Sequence, residues 1–175
     1  MALPLPVQTG LICFVAFAAV TDLAYRKIPN PLVLTGVVGA LLLQWLPFGA
    51  SFPLAWLTGL LTGFFVLLPL YLLRGMAAGD VKLMAMVGAF TGPETALHIC
   101  FATFLIGGLM ALCILVYNGR LAAACRNLRT LLSPVLLRAL GIPLAPANLA
   151  PGQSVGGMPY GLAIALGTLL LVGLP

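Results

Sequence analysis

The sequence predicts an all-α polytopic membrane protein with six transmembrane helices and a further amphipathic helix on the cytoplasmic membrane surface. Hydrophobic residues make up 62% of the 175 residues and charged residues only 6%, whereas a soluble domain carries roughly 25% charged residues. The apolar residues form continuous runs rather than the short alternating strands of a membrane β-barrel. So few charges cannot cover a water-facing surface, which excludes a soluble globular domain and a disordered chain. Four cysteines are too few for a disulfide-rich secreted domain.

Six apolar runs are candidates to cross a hydrocarbon core of about 30 Å as helices. Helices are expected because backbone N–H and C=O groups in lipid must bond to one another. The fourth run contains Lys82 and ends among Gly92, Pro93 and Glu94. The expected spans are residues 5–23, 31–48, 54–73, 81–96, 97–117 and 155–174. We expect residues 1–175 to form a single transmembrane domain.

The basic residues set the predicted orientation. All eight Lys and Arg residues lie in or beside the loops after the first, third and fifth spans, and the loops near residues 47–52 and 91–95 have none. Basic loops stay in the cytoplasm, so both termini are expected outside. No Lys or Arg precedes the first span, which is therefore expected to be retained rather than cleaved as a signal peptide. The net charge of +5 follows this topology pattern and does not indicate nucleic-acid binding.

The long basic loop, residues 119–138, is predicted to contain an interfacial helix. Over residues 120–132, leucines, alanines and Cys125 recur at helical spacing, and Arg126 and Arg129 fall mostly on the opposite face. Such a helix lies on the membrane surface with its arginines near anionic head groups. It is either a connector that obeys the charge rule or a surface that docks a substrate or partner.

Three acidic residues are present in the whole chain, and their placement is informative. Asp22 lies at the cytoplasmic end of the first span, and Asp80 lies at the cytoplasmic start of the fourth. Two spans return the chain to the same side between them, so the topology places both carboxylates at one membrane depth. Glu94 falls in an opposite loop and cannot join them.

Two carboxylates at the membrane boundary suggest aspartyl proteolysis. Such groups usually face a bundle interior or a wet cavity, and two that meet share a proton. One can then activate water as a general base while the other polarises the scissile carbonyl as an acid. A proton- or ion-coupled carrier would use the same two groups. Alternatively, Asp22 pairs with Arg26 and Asp80 merely caps a helix.

The residues around each Asp form short motifs. Asp22 is followed after five residues by Ile28-Pro29-Asn30, and a Gly-rich stretch from Gly75 ends in Gly79-Asp80-Val81-Lys82. Near the C-terminus, the last span contains Pro159-Tyr160-Gly161. Together these three motifs resemble the type IV prepilin peptidase family, a branch of the GxGD-type aspartyl intramembrane proteases. The resemblance implies that Asp22 and Asp80 are catalytic. The site-shaping or substrate-binding residues that it implies are Gly75, Gly79, Lys82, Ile28, Pro29, Asn30, Pro159, Tyr160 and Gly161.

The resemblance also implies a substrate and a location. Prepilin or pseudopilin precursors would lose a basic leader after a Gly at the cytoplasmic face of the bacterial inner membrane. Ala77 stands where the strict Gly-x-Gly-Asp signature has Gly, and we expect activity to survive. The four Cys residues form no Cys-x-x-Cys pair, so we expect a peptidase-only form, like those of tight-adherence (Flp-type) pilus systems, with no methyltransferase activity, metal or cofactor.

Several of these residues have simple physical roles as alternatives. Gly79 lets backbone, water or substrate approach Asp80 closely, and Gly75 permits a turn between the third and fourth spans. Gly161, with Gly167, suits close packing of the last span against its neighbours. Lys82 is either a topology charge or a contact for substrate or negative charge at the site. Asn30 is either a turn residue or a hydrogen-bonding residue near the site.

Overall fold

The computed structural model describes residues 3–48, 52–73, 75–119 and 159–173. These residues form helices and no strand, so the all-α prediction is confirmed for them. The predicted interfacial helix, apart from Gly119, and residues 155–158 of the last predicted span lie outside the described residues. The helices are α1 (Leu5–Tyr25), α2 (Asn30–Phe48), α3 (Phe52–Leu72), α4 (Ala78–Thr91), α5 (Pro93–Tyr117) and α6 (Tyr160–Val172).

Three helices are long and apolar enough to cross a membrane. They are α1, residues Pro53–Leu72 of α3, and α5, and large side chains such as Phe17, Phe65 and Phe101 are exposed on their outer faces. An apolar outer surface of this kind suits lipid rather than water, and it indicates a membrane protein. Apolar segments of α2 (Asn30–Gln44) and α6 are shorter. The predicted number of six spans is therefore not confirmed.

The boundary between α4 and α5 differs from the predicted boundary between residues 96 and 97. Helix α4 ends at Thr91, Gly92 takes a φ of +79°, and α5 begins at Pro93. Glycine adopts positive φ without strain, and proline at the first helical position lacks an N–H that the helix would leave unbonded anyway. The Gly-Pro pair, rather than the hydropathy of the run, sets this boundary. At its other end α4 begins at Ala78, so Asp80 lies within its first turn.

The chain divides into two compact units, one of residues 1–107 with 159–175 and the other of residues 108–158. In the first unit α4 is central, because it packs against α1, α2, α3 and α6. Residues 83–90 of α4 are all buried, as expected for a helix that is apolar on every side. Its 14 residues give a length of about 21 Å. In the second unit the described residues, 108–119, are helical up to Tyr117.

Helix α4 is held tightly along its length and at its far end. A Cβ atom at Gly59 or Gly63 of α3 would collide with backbone atoms of α4, so the two backbones touch. These two glycines form a Gly-x-x-x-Gly pair, which allows close helix packing. At the C-terminal end of α4, Nε2 of Gln44 donates to the carbonyl oxygens of Ala89 (3.2 Å) and Phe90 (3.0 Å). These contacts fix the helix that carries Asp80.

Candidate active site

Asp22 and Asp80 lie together at one end of the helix bundle. Asp22 is in the last turn of α1 and Asp80 in the first turn of α4, and only 7% and 5% of their surfaces are exposed. The two carboxyl groups lie near enough to interact electrostatically. Glu94 is exposed in the first turn of α5, beyond the opposite end of α4. The three acidic side chains are therefore distributed as the topology argument expects.

The carboxylate of Asp22 contacts the start of α6. The backbone N–H of Gly161 donates a buried hydrogen bond of 2.9 Å to Oδ2 of Asp22. The residue before α6 is Pro159, which has no side-chain acceptor, and it makes no cap hydrogen bond of its own. Asp22 thus supplies from another helix the acceptor that an N-cap side chain normally provides. The positive end of the α6 dipole also favours a negative charge at this position.

The carboxylate of Asp80 closes the start of its own helix. The N–H of Ala77, the residue that precedes α4, donates to Oδ2 of Asp80 at 3.2 Å. In a capping box, the side chain at the third helical position accepts the N–H of the residue that precedes the helix, and this bond is that half of the motif. Ala77 is exposed, with φ −81° and ψ 153°. Any residue adopts this extended conformation, so Ala at this position introduces no backbone strain.

The linker between α1 and α2 packs on the start of α4. Helix α1 ends where Arg26 adopts a φ of 53° and its N–H donates to the carbonyl oxygen of Asp22 at 2.9 Å. Two residues later, Ile28 lies against Gly79, since a Cβ at Gly79 would be 3.3 Å from Cβ of Ile28. A side chain at position 79 would therefore press on the linker, and Gly79 lets the linker lie beside Asp80.

Lys82 and Asn30 contact each other. Nζ of Lys82 donates to Oδ1 of Asn30 at 3.0 Å, and both side chains are exposed. The bond joins α4 to the first residue of α2. Of the two alternatives for Asn30, the structure favours a hydrogen-bonding role beside the site.

The remaining predicted residues lie at the end of α3 and at the starts of α2 and α6. The N–H of Gly75 donates to the carbonyl oxygen of Leu70 at 2.8 Å and so closes the end of α3. The carbonyl oxygen of Pro29 accepts from the N–H of Val33 at the start of α2. Pro159 is buried just before α6, and Tyr160, the first residue of that helix, is half-buried.

Two amide side chains that the sequence analysis did not single out also close helix ends. Gln44 bonds to the C-terminal carbonyls of α4, and Nε2 of half-buried Gln8 donates to the carbonyl oxygen of Val172 at the end of α6. The available signal was a lone amide side chain within an apolar run. Because such a group is costly in lipid without a partner, its presence predicts a buried acceptor nearby.

The geometry suits acid–base chemistry by a carboxyl pair. Both carboxyl groups are buried, interact with each other and lie at the N-terminal end of a helix. In a pair of carboxyl groups, one group can accept a proton from water while the other donates one. Across the described ranges, no group of three His, Cys, Asp or Glu side chains is placed to hold a metal ion.

Comparison with known proteins gives one family. The model of the type IV leader peptidase family matches residues 9–112, more than half of the chain. The match contains Asp22 and Asp80 and ends before Gly161. No curated protein and no solved structure matches the chain significantly. The resemblance inferred from the sequence motifs is confirmed: the chain belongs to the type IV leader peptidase family, a family of aspartic-type membrane peptidases.

Proposed function

We propose that the protein is a membrane-embedded aspartyl endopeptidase that removes the basic leader of type IV prepilin-like precursors at the cytoplasmic membrane face. The observation that carries this proposal is that Asp22 and Asp80 are both buried and lie near enough to interact electrostatically. Both residues lie within the part of the chain that matches a leader peptidase family. We propose the bacterial inner membrane as its location, with the basic loops in the cytoplasm and both termini outside.

Peptide hydrolysis by the pair follows from its chemistry. The ionised carboxyl group takes a proton from water as the water oxygen attacks the scissile carbonyl carbon. The protonated group gives its proton to the carbonyl oxygen, so a tetrahedral diol forms and the two carboxyl groups exchange protonation states. A proton then passes to the amide nitrogen as the C–N bond breaks. One water molecule is consumed, and the leader gains a carboxyl group while the mature protein gains an amine.

The substrate must be presented in an extended form. A helical backbone is hydrogen-bonded internally, so its scissile carbonyl cannot be attacked easily. A basic leader stays on the cytoplasmic side by the charge rule and would hold the bond beside the substrate's hydrophobic helix at the depth of Asp22 and Asp80. Family resemblance places the cleavage after a Gly at this boundary.

The test is co-expression with a prepilin precursor and measurement of leader removal by the wild type and by Asp22→Asn and Asp80→Asn. Asn retains a carbonyl oxygen that can accept the N–H of Gly161 or of Ala77, so each variant should insert and fold. We expect both to lose leader removal, because an amide cannot exchange the catalytic proton. Asp22→Glu should also fail largely, since the added methylene displaces the carboxylate.

Glu94→Gln is the matched control, because it removes an exposed acidic residue at the other end of α4. It should process the precursor like the wild type. Full processing by Asp22→Asn or Asp80→Asn would contradict the proposed catalytic pair, and ion transport that depends on both residues without any cleavage would favour a carrier instead.

A further inference from the structure

Gly161 lies against a candidate catalytic carboxylate, although the family match ends well before it. It is the second residue of α6, and it is buried. Sequence reasoning explains such a glycine by close helix packing. The structure shows a more specific neighbour, because all three of the atoms nearest to a Cβ at this position belong to the side chain of Asp22.

We propose that Gly161 is a positioning residue for Asp22: its N–H holds the carboxylate, and its missing side chain leaves the room in which the carboxylate sits. This inference rests on the proposed function, for which it assigns the start of α6 as a third part of the active site.

The first argument is the hydrogen bond. The N–H of Gly161 would be one of the unbonded donors at the start of α6, and Oδ2 of Asp22 accepts it at 2.9 Å in a buried setting. The bond therefore fixes the direction of the carboxylate and satisfies the helix end at the same time.

The second argument is steric. A Cβ at position 161 would lie 2.8 Å from Oδ2, 3.0 Å from Cβ and 3.1 Å from Cγ of Asp22. These distances are shorter than ordinary van der Waals contacts, so any side chain must push the carboxylate or the helix away. A displacement of about 1 Å of a reacting group can cost about a hundredfold in rate.

Gly167 is the matched control on the same helix. It is also buried, and a Cβ there would lie 2.9 Å from Oγ1 and 3.2 Å from the backbone nitrogen of Thr103. The crowding is similar, but the neighbour is not part of the site. Gly161→Ala and Gly167→Ala should therefore perturb packing to a comparable extent and differ in their effect on catalysis.

The kinetic test uses purified full-length protein and a precursor peptide. We expect Gly161→Ala to lower kcat by about a hundredfold with KM changed less than about twofold. Gly167→Ala should retain kcat within about threefold, and the two variants should melt within a few degrees of each other. Equal losses of kcat in both variants, or full kcat in Gly161→Ala, would overturn the proposal.

A second measurement keeps the inference testable if Gly161→Ala does not fold or if the wild type cleaves nothing. Hydrogen exchange is followed in peptides that cover the start of α6 in the wild type, Asp22→Asn and Asp22→Ala. Asp22→Ala removes the acceptor, so exchange at the Gly161 amide should rise roughly tenfold, whereas Asp22→Asn should remain near the wild type. Unchanged exchange in Asp22→Ala would overturn the contact, whatever the activity. Absent cleavage with the expected exchange pattern would refute the proposed function alone.

Discussion

Gln44 offers a prediction whose size can be worked from the structure. Its Nε2 donates to the carbonyl oxygens of Ala89 and Phe90, in the last turn of α4. In a continuous helix the oxygen of Ala89 would accept from the N–H of residue 93, but Pro93 has none. Gln44 supplies this missing donor. Gln44→Met keeps the length of the side chain and leaves both buried carbonyls without this partner.

The expected loss follows from the cost of a buried carbonyl without a donor, about 1–3 kcal/mol each. Gln44→Met should therefore lower the free energy of unfolding by roughly 2–6 kcal/mol, which is a fall of roughly 4–24 °C in melting temperature for a chain of this size. The assay is thermal unfolding of the purified protein in one detergent.

Gln8→Met is the control for this prediction. Gln8 is half-buried and donates to the single carbonyl of Val172, so we expect a smaller loss of about 1 kcal/mol. The argument that Gln44 replaces the donor missing at Pro93 is wrong if Gln44→Met has the same melting temperature as the wild type. It is also wrong if the free energy of unfolding falls no more in Gln44→Met than in Gln8→Met.

Two further predictions concern the motifs beside the carboxylates. Ala77→Gly should leave the rate of leader removal within about twofold, because position 77 is exposed and extended, and should raise the melting temperature by up to about 4 °C, because Gly is preferred to Ala as the residue before a helix; a large gain in rate would show that Ala77 impairs the enzyme. In a double-mutant cycle of Lys82→Met and Asn30→Ala, the unfolding free energies should show a coupling of about 0.5–1 kcal/mol, as expected for one exposed hydrogen bond; a coupling of zero would contradict that bond.

The helices were predictable because each apolar run carries its own boundaries. Pro29 lies between the first two helices and Pro31 in the first turn of the second, and the observed bounds of α1, α2 and α3 lie within two residues of the predicted runs. The break between α4 and α5 falls within the loop expected near residues 91–95, whereas the span bounds at 96 and 97 were wrong because hydropathy continues across Gly92 and Pro93. The break there comes from a backbone conformation, the φ of +79° at Gly92, to which hydropathy is insensitive.

The site was predictable as far as topology determines it. Two helices, α2 and α3, lie between Asp22 and Asp80, and an even number of helices returns the chain to the same end of the bundle. The contacts between motifs were not predictable, because they depend on how helices dock. The Gly161–Asp22 bond joins residues 139 positions apart, and the Lys82–Asn30 bond joins residues 52 apart. In each pair, the sequence around one residue does not indicate which residue it will contact.

Both ends of α4 are attached to one neighbouring helix, α2, and this bears on how the proposed precursor would reach the carboxylates. Near the start of α4, Lys82 donates a hydrogen bond to Asn30, the first residue of α2. In the last turn of α4, the carbonyl oxygen of Phe90 accepts a hydrogen bond from Gln44, which also belongs to α2. A shift of α4 along its axis relative to α2 would break both hydrogen bonds. A shift relative to α3 would move Met84 past Gly63, where the two backbones already touch. These contacts restrict the sliding of α4 against α2 and α3. If the proposed precursor enters as an extended polypeptide, the widening that admits it is expected from elements other than the attached pair α2 and α4.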